Sequence, residues 1–254
     1  MIYIHYFFSL CDDYELIAEK ALTTPANTEQ LMELQEYIKK VENDTIFVLE
    51  KRLVQAKNRL AFLVDYANFS PAEMRLNSNT FMWHGRMGAI FEEHRLIAQE
   101  KKAQYEEALK LKRDRFQEEL ESYAKQLEEF QTFGDMNEIS RYLRKAQQLD
   151  SKLTAAADKI EAFNVEEESF GWEVTSYPNR QETLNTLKPY LNLYQLTVDF
   201  NDKYKGWMEG PMEDVDPDAV ENEVGNIWRN LYKLEKGFES VPASKKICQK
   251  VQHW

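Results

Sequence analysis

An all-α fold, made of long antiparallel helices with coiled-coil-like seams gathered into elongated helical bundles, is predicted by three observations. The first is rhythm. Between Ile139 and Phe163, apolar residues fall at Ile139, Tyr142, Ala146, Leu149, Leu153, Ala156, Ile160 and Phe163. The spacing alternates threes and fours without a slip and draws one narrow stripe down a helix. The second is punctuation: only 8 Gly and 7 Pro interrupt 254 residues, too few for a many-stranded β protein. The third is uninterrupted length. From Phe81 to Thr132 there is no Pro, and Gly85 and Gly88 are the only Gly. Such a stretch, about 50 residues at ~1.5 Å each, predicts a rod of roughly 75 Å.

The elements follow in order. A first helix is expected from near Ile2 to about Leu22, stopping before Pro25. Ala26-Asn27-Thr28 reads as a turn with Thr28 as N-cap. The second helix carries Leu31, Leu34, Ile38 and Val41 on one stripe, then steps by fours through Thr45 and Leu49 before Leu53, Ala56, Leu60 and Leu63. Successive steps of four are a stutter, which locally unwinds a supercoil; this helix is expected to end near Asn68. At Ser70-Pro71-Ala72-Glu73, Ser70 can cap, Pro71 suits the first helical position and Glu73 can close a capping box. Asn77-Ser78-Asn79-Thr80 predicts that this helix is short. The long rod then runs from Phe81, with a stripe at Trp83, Met87, Ile90, His94 and Ile97, and again at Phe116, Leu120, Tyr123, Leu127 and Phe130. Its middle, Gln99 to Arg115, is dense in Lys, Glu and Ala and reads as solvated.

Gly134 ends the rod, and Asp135-Met136-Asn137-Glu138 reads as a second capping box opening the helix with the unbroken stripe. So short a joint folds the two long helices back as an antiparallel pair. The acidic run Glu166-Glu167-Glu168 closes this half, and a boundary here divides the chain into 1–165 and 166–254. Ser169 to Pro178 is a linker holding Phe170 and Trp172. A helix from about Asn179 to Lys205 has Leu184, Leu187, Leu191 and Tyr194 at core spacing, with Pro189 expected to kink it. Gly206, Gly210, Pro211 and Pro217 predict a loop. Asp216-Pro217 starts a helix with the stripe Val220, Val224, Ile227, Leu231, Leu234 and Phe238. Val241-Pro242 interrupts, and a last helix runs from about Ser244 to Trp254, an end in mid-helix that reads as truncation.

Bulk properties exclude several functions. With 32 Lys+Arg against 44 Asp+Glu, the net charge is −12. Nucleic-acid binders neutralise phosphates with a basic face, so no nucleic-acid partner is expected, and docking on an anionic membrane is disfavoured too. The apolar start MIYIHYFFSL is too short to span a bilayer. It lacks the basic flank and small-residue cleavage site of a signal peptide, and reads as an interior helix whose upstream partner is missing. Cys11 and Cys248 stand at opposite ends with no metal-type spacing, as suits a reducing compartment.

No constellation for catalysis emerges. There is no Gly-x4-Gly-Lys-Ser/Thr phosphate cradle. His5, His84, His94 and His253 form neither His-x3-His nor Glu-x2-His, so a helical zinc or di-iron site lacks ligands. His94 reads as a partly buried residue of an apolar seam, and both cysteines as ordinary buried thiols. No catalytic residue, metal ligand or cofactor is expected. Lys110-Leu-Lys-Arg-Asp-Arg115 has acidic residues on both sides, at Glu106, Glu107, Glu118 and Glu119, and reads as a solvated face with i,i+4 pairs. Glu166–Glu168 reads as a solvated terminus. Pro189, Gly206, Gly210 and Pro211 are candidate hinge positions. Phe170, Trp172, Trp207 and Trp228 are candidate packing or interface aromatics, because Trp is enriched in interface hot spots.

The second half resembles a known family. FGWEVTSYP (170–178), TLKPYLNLYQL (186–196), Trp207 and VENEVGNIWRNLYKLEKGF (220–238) are similar to the N-terminal part of the linker of dynein heavy chains. IAEKALTTPANTEQLMELQEYI (17–38) and FGDMNEISRYLRKAQQLDSKL (133–153) resemble the helical stem that leads into it, as in axonemal heavy chains. The resemblance covers nearly the whole chain and rests on aromatic and leucine positions. It implies a non-catalytic stem-to-linker segment, 1–165 stem-like and 166–254 the start of the linker, in a motor that hydrolyses ATP elsewhere and moves along microtubules. The implied partners are the rest of the heavy chain with its ATPase ring, intermediate and light chains, and other heavy chains. The implied location is the cytoskeleton of the cytoplasm or the ciliary axoneme. No nucleotide- or microtubule-binding residue of the family has a counterpart here. Two other classes compete: a stand-alone helical coiled-coil scaffold or adaptor, and a helical-bundle enzyme, which would need inward-facing carboxylates and histidines that the sequence lacks.

Overall fold

The segments with stripe spacing are helical. A computed structural model describes residues 2–211 and 215–253, with helices and no strand among them. The order is α1 (Ile2–Ala21), α2 (Thr28–Lys40), a π-helical turn (Val41–Thr45), α3 (Ile46–Val64), α4 (Pro71–Glu129), α5 (Ile139–Phe170), α6 (Pro178–Glu209), α7 (Pro217–Gly237) and α8 (Pro242–Gln252), with single 3-10 turns at Phe130–Thr132 and Met136–Glu138. The expected helical end at Trp254 and the middle of the 206–217 loop lie outside the described residues. Two compact units result: residues 1–110 with 168–172, and residues 111–167 with 173–254.

In the first unit, α1 buries Phe7, Leu10, Tyr14, Ile17 and Ala21 in a core with Leu34 and Ile38 of α2, Leu49 and Ala56 of α3, and Met87 and Phe91 of α4. The apolar face of α1 packs on helices that follow it in the chain. Polar contacts pin it: Arg52 of α3 pairs with Asp13, Tyr3 Oη donates to Asn77 at 2.6 Å, and His94 Nδ1 donates to the Ala21 carbonyl at 2.9 Å. A carbonyl only accepts, so the proton sits on Nδ1, and His94 serves an orphan acceptor at the end of α1.

Four local readings change. The cap of α2 is Asn27, whose side chain accepts from the Gln30 amide at 2.8 Å, so Thr28 is the first helical residue. The expected single helix through residue 68 is two helices joined by the π turn, at the site of the stutter, and α3 ends at Val64. One turn widened to an i→i+5 bond, Ile46 N–H to Val41 O, accommodates an extra residue. Val41 and Leu49 both stay in the core as a result. The Asn77–Thr80 break does not occur, and α4 passes through it. Asn77 is buried against Tyr3, and Thr80 Oγ1 satisfies itself on the Leu76 carbonyl at 2.8 Å; tertiary contacts outweigh the weak local preference. The Ser70–Glu73 box forms in both directions. At Asp135 only one direction forms: its carboxylate accepts from the Asn137 amide, and Glu138 turns to Arg141.

The second unit is organised by α5 against the C-terminal half of α4. Polar pairs across the helices are Glu129–Lys145, Gln126–Lys152, Glu119–Lys159, Lys112–Glu166 and Arg113–Glu167. As one partner's number falls the other rises by nearly the same amount, the mark of an antiparallel pair. Between them, Ile139, Ala146, Leu149, Leu153 and Ala156 are buried with Phe116, Leu120, Leu127 and Phe130, and Tyr142, Ile160 and Phe163 pack on the rim. The same core takes in Leu187, Tyr190, Leu193 and Tyr194 of α6, Leu231 of α7, and Ile247, Cys248 and Val251 of α8.

Leu149→Asp places an unpaired carboxylate in this seam; unfolding followed by circular dichroism is expected to show a loss of about 3–5 kcal/mol. An alkaline limit is also expected. Burial pushes the Cys248 thiol and the Tyr14 phenol up to about 12 from their ordinary 9.0 and 10.0. Folding thus favours their neutral forms, a contribution complete below the unfolded values and lost as pH rises through the folded ones. The melting temperature is expected to hold to about pH 9 and fall between pH 10 and 12.

Candidate functional site

The positions singled out in the sequence fall into three local settings. The first is the exit from α5. Gly171 adopts φ +72 and donates its N–H to the Glu168 carbonyl at 2.9 Å, a left-handed stop that glycine takes without strain. Phe170 is buried with its ring 5.5 Å from Trp172, and Lys110 Nζ lies 5.6 Å from the Trp172 ring centre. These two aromatics are packed.

Just before them stands a residue that sequence reasoning read as solvated. Glu167 is fully buried. Its carboxylate accepts from the Thr175 N–H at 2.7 Å and the Thr175 hydroxyl at 2.7 Å, and pairs with Arg113 at 3.0 Å. Burying a carboxylate without such partners would be costly; three donors make it a latch between α4, the end of α5 and the following segment. That segment is held further by Arg180 Nε donating to the Leu153 carbonyl at 2.9 Å and by Tyr177 edge-on to Phe116 at 5.2 Å. The basic 110–115 run therefore has partners on α5, in place of the i,i+4 pairs expected. A signal was present: the antiparallel register that matches Glu119 to Lys159 carries Lys112 and Arg113 to the 166–167 carboxylates.

The second setting is α6 and its end. Pro189 lies inside α6, which runs on from Pro178 to Glu209. Gly206 is helical, so the loop begins four residues later than predicted. Gly210 ends α6 with its N–H on the Gly206 carbonyl at 3.0 Å. A Cβ on Gly210 would stand 2.3 Å from that oxygen, whereas one on Gly206 would meet nothing within 4 Å. Pro211 follows, exposed. Trp207 is half-buried against the second core, and Lys203 pairs with Glu223 of α7 at 2.8 Å.

The third is the outer side of α7. Asp216 caps it through the Asp218 and Ala219 amides, with Pro217 at the start as expected. The stripe is buried only toward its C-terminal end, at Leu231 and Phe238. Trp228 is 48% exposed and stacks on Tyr232 at 5.4 Å, beside an open apolar groove lined by Val215, Val220 and Val224. Of the four aromatics, Trp228 alone is exposed. No group of three metal-ligating side chains occurs among the described residues, and no helix among them is long and apolar enough to cross a membrane.

Comparison with known proteins decides the family. The family described as "Dynein heavy chain, N-terminal region 2" matches residues 180–254. Dynein axonemal heavy chain 3 of Mus musculus is 34% identical over 246 residues, 96% of this chain and 6% of the relative. The chain belongs to the dynein heavy chains. Its match lies in the N-terminal region of the axonemal type. The Homo sapiens heavy chain 3 is 32% identical over 96% of this chain, and the Rattus norvegicus dynein axonemal heavy chain 12 is 27% identical over 91%. The chain spans 6% of the first of these two relatives and 8% of the second. The family match begins two residues after α6 does, past the Glu167 latch.

Two outcomes are expected. Glu167→Ala strips Arg113 and the Thr175 amide of their acceptor; it is expected to cost about 2–3 kcal/mol and to abolish hydrogen-exchange protection at Thr175. Gly206→Ala is expected to stabilise α6 by about 0.5–1 kcal/mol, and Gly210→Ala to destabilise it by about 1–3 kcal/mol through the close oxygen. Denaturant titration distinguishes the signs.

Proposed function

We propose that this chain is a non-catalytic stem-to-linker segment of a dynein heavy chain, a mechanical element in ATP-driven, microtubule-based movement of cilia or flagella. Residues 1–165 take the part of the stem and 166–254 that of the first part of the linker. This division is one of roles along the parent chain, and packing groups the helices differently. The ATPase ring of the same heavy chain would supply the chemistry. Intermediate and light chains and neighbouring heavy chains would be its other partners, in the axonemal cytoskeleton.

The observation that carries the reading is the α4–α5 pair. Its seam, buried through Ala156 and half-buried at Ile160 and Phe163, leads to Glu167, whose carboxylate ties it to the segment entering the family-matched residues. A paired, close-packed seam resists bending because any curvature must open contacts along its length. Force applied at one end is then delivered to the segment after Thr175. Compliance belongs where packing is thin. Pro189, Gly206, Gly210 and Pro211 remain the proposed hinge positions, with the Gly206–Pro211 end of α6 the more permissive. Phe170, Trp172 and Trp207 serve packing in this reading, and Trp228 the interface.

The test is the size and peptide content of the native protein. An antibody against residues 179–238 recovers it from ciliated tissue, followed by a denaturing gel and peptide mass spectrometry. A very large polypeptide with P-loop peptides beyond Trp254 is the expected result. A band near the 30.1 kDa of this chain, with nothing beyond Trp254, would make it a stand-alone helical scaffold and overturn the reading.

A further inference from the structure

α3 has two faces. Leu49 and Ala56 are buried, and Leu53 and Leu60 pack beside them in the first core. On the opposite side Phe47, Val48, Val54 and Phe62 are each more than half exposed, at 54%, 56%, 56% and 66%. The period of this outer side is heptad-like. Phe47, Val54 and Ala61 follow one another at steps of seven, as do Val48, Gln55 and Phe62, giving one wholly apolar track and one broken by Gln55, with Lys51 and Asn58 between them. A helix needs one apolar stripe to join a core, and a second stripe at seam spacing is the sequence of a helix that packs on both sides. An exposed apolar patch of this kind marks an interaction surface.

Charge selects the occupant. In a chain of net charge −12, α3 carries Lys51, Arg52, Lys57 and Arg59 against the single acid Glu50. Arg52 is engaged by Asp13 and Arg59 lies over the Tyr6 ring at 4.6 Å. Lys51 and Lys57 are exposed and pair with no carboxylate among the described residues. Lys57 and Arg59 stand on either side of the two tracks, in the positions from which coiled-coil helices choose partners by charge. Two copies of α3 face to face would oppose like charges, which disfavours self-pairing. A lipid surface is disfavoured because the chain as a whole is acidic, with net charge −12, and anionic headgroups would repel it.

We infer that the outer face of α3 is a docking site for an amphipathic helix of another polypeptide, one whose apolar seam is flanked by carboxylates. The inference rests on this surface alone and holds whether or not the chain acts as a stem.

The test uses the whole 254-residue chain and a fluorescein-labelled synthetic helix of three heptads (about 21 residues), Leu at the seam and Glu on its flanks. A matched peptide with Lys in place of Glu is the control. Fluorescence anisotropy is expected to show binding of the Glu peptide, weakened by salt, and none of the Lys peptide. The double substitution Val54→Asp with Phe62→Asp is expected to weaken binding by about tenfold or more. Lys51→Glu with Lys57→Glu is expected to shift preference toward the Lys peptide. All four side chains are exposed, so the melting curve should not move, which separates lost docking from lost fold. The inference is overturned by absence of Glu-peptide binding, or by binding indifferent to these substitutions. It is also overturned by a homodimer in analytical ultracentrifugation, or by sedimentation with phosphatidylserine vesicles, that the same apolar substitutions abolish.

Discussion

The fixed register between the C-terminal half of α4 and α5 is the constraint on which the second unit depends. A narrow seam of the kind in α5 can slide by a heptad and remain apolar, so burial alone does not choose one alignment. Two features choose it here. The turn between Phe130 and Ile139 is short, with Phe133 stacked on Tyr142 at 4.4 Å. The charges are matched in the observed alignment, from Glu129–Lys145 near the turn to Arg113–Glu167 at the far end. Exposed pairs such as Glu129–Lys145 add little stability each, but a one-heptad slip would set Glu119 against Glu166 in one direction and Lys112 against Lys159 in the other, and that penalty selects. Once the register is set, α6, α7 and α8 have a finished surface to cover.

Glu167 differs in kind from the pairs before it. They are solvent-facing and specify alignment, whereas its carboxylate is out of water and held by three donors. Buried ion pairs seldom add net stability over an apolar replacement, but breaking one is costly. The arrangement therefore makes the path of the chain from α5 toward α6 unambiguous without making the unit especially stable. The first unit solves a similar problem with different chemistry: Tyr3–Asn77, Arg52–Asp13 and His94–Ala21 each join α1 to a helix far away in sequence. In both units apolar stripes bring helices together and a few buried or half-buried polar groups say which residues meet.

Features set by neighbours in sequence were legible. The Ser70–Glu73 box, the Asp216-Pro217 start and the α5 seam need only a few residues, and all formed as read. The stutter was legible as a disturbance, but the sequence pattern does not distinguish an unwound supercoil from a π turn, because both absorb an extra residue. Two local readings failed, the α2 cap expected at Thr28 and found at Asn27 and the half-formed Asp135 box; the larger failures depend on distant partners. Asn77–Thr80 has poor helix propensity, and only the Tyr3 hydroxyl and core burial reveal why α4 continues. Glu167 sits in a run of three acids, and composition cannot show that one of them faces Arg113 while its neighbours do not. Trp228 was singled out with three packed aromatics; only exposure separates it from them.

Stiffness and compliance in this chain come from the same source, the density of side-chain contact. Where a seam is continuous, as along α5, a helix deforms only by opening many contacts together. Toward the end of α6 the contacts thin out: Trp207 reaches the core, Met208 is largely exposed, and Gly206 and Gly210 bring no side chain at all. Gly210 is nevertheless not loose, since its amide is bonded to Gly206 and no Cβ fits beside that carbonyl. The hinge proposed here would have a defined rest position and a small barrier to leaving it, because few contacts must break. An element that stores and releases strain needs such a joint next to a seam that does not yield. Pro189 differs in this respect: Leu187, Tyr190, Leu193 and Tyr194 around it are all buried, so the missing amide of the proline is flanked by the densest packing on α6. Movement there would disturb the whole second core, and movement at Gly206–Pro211 would not.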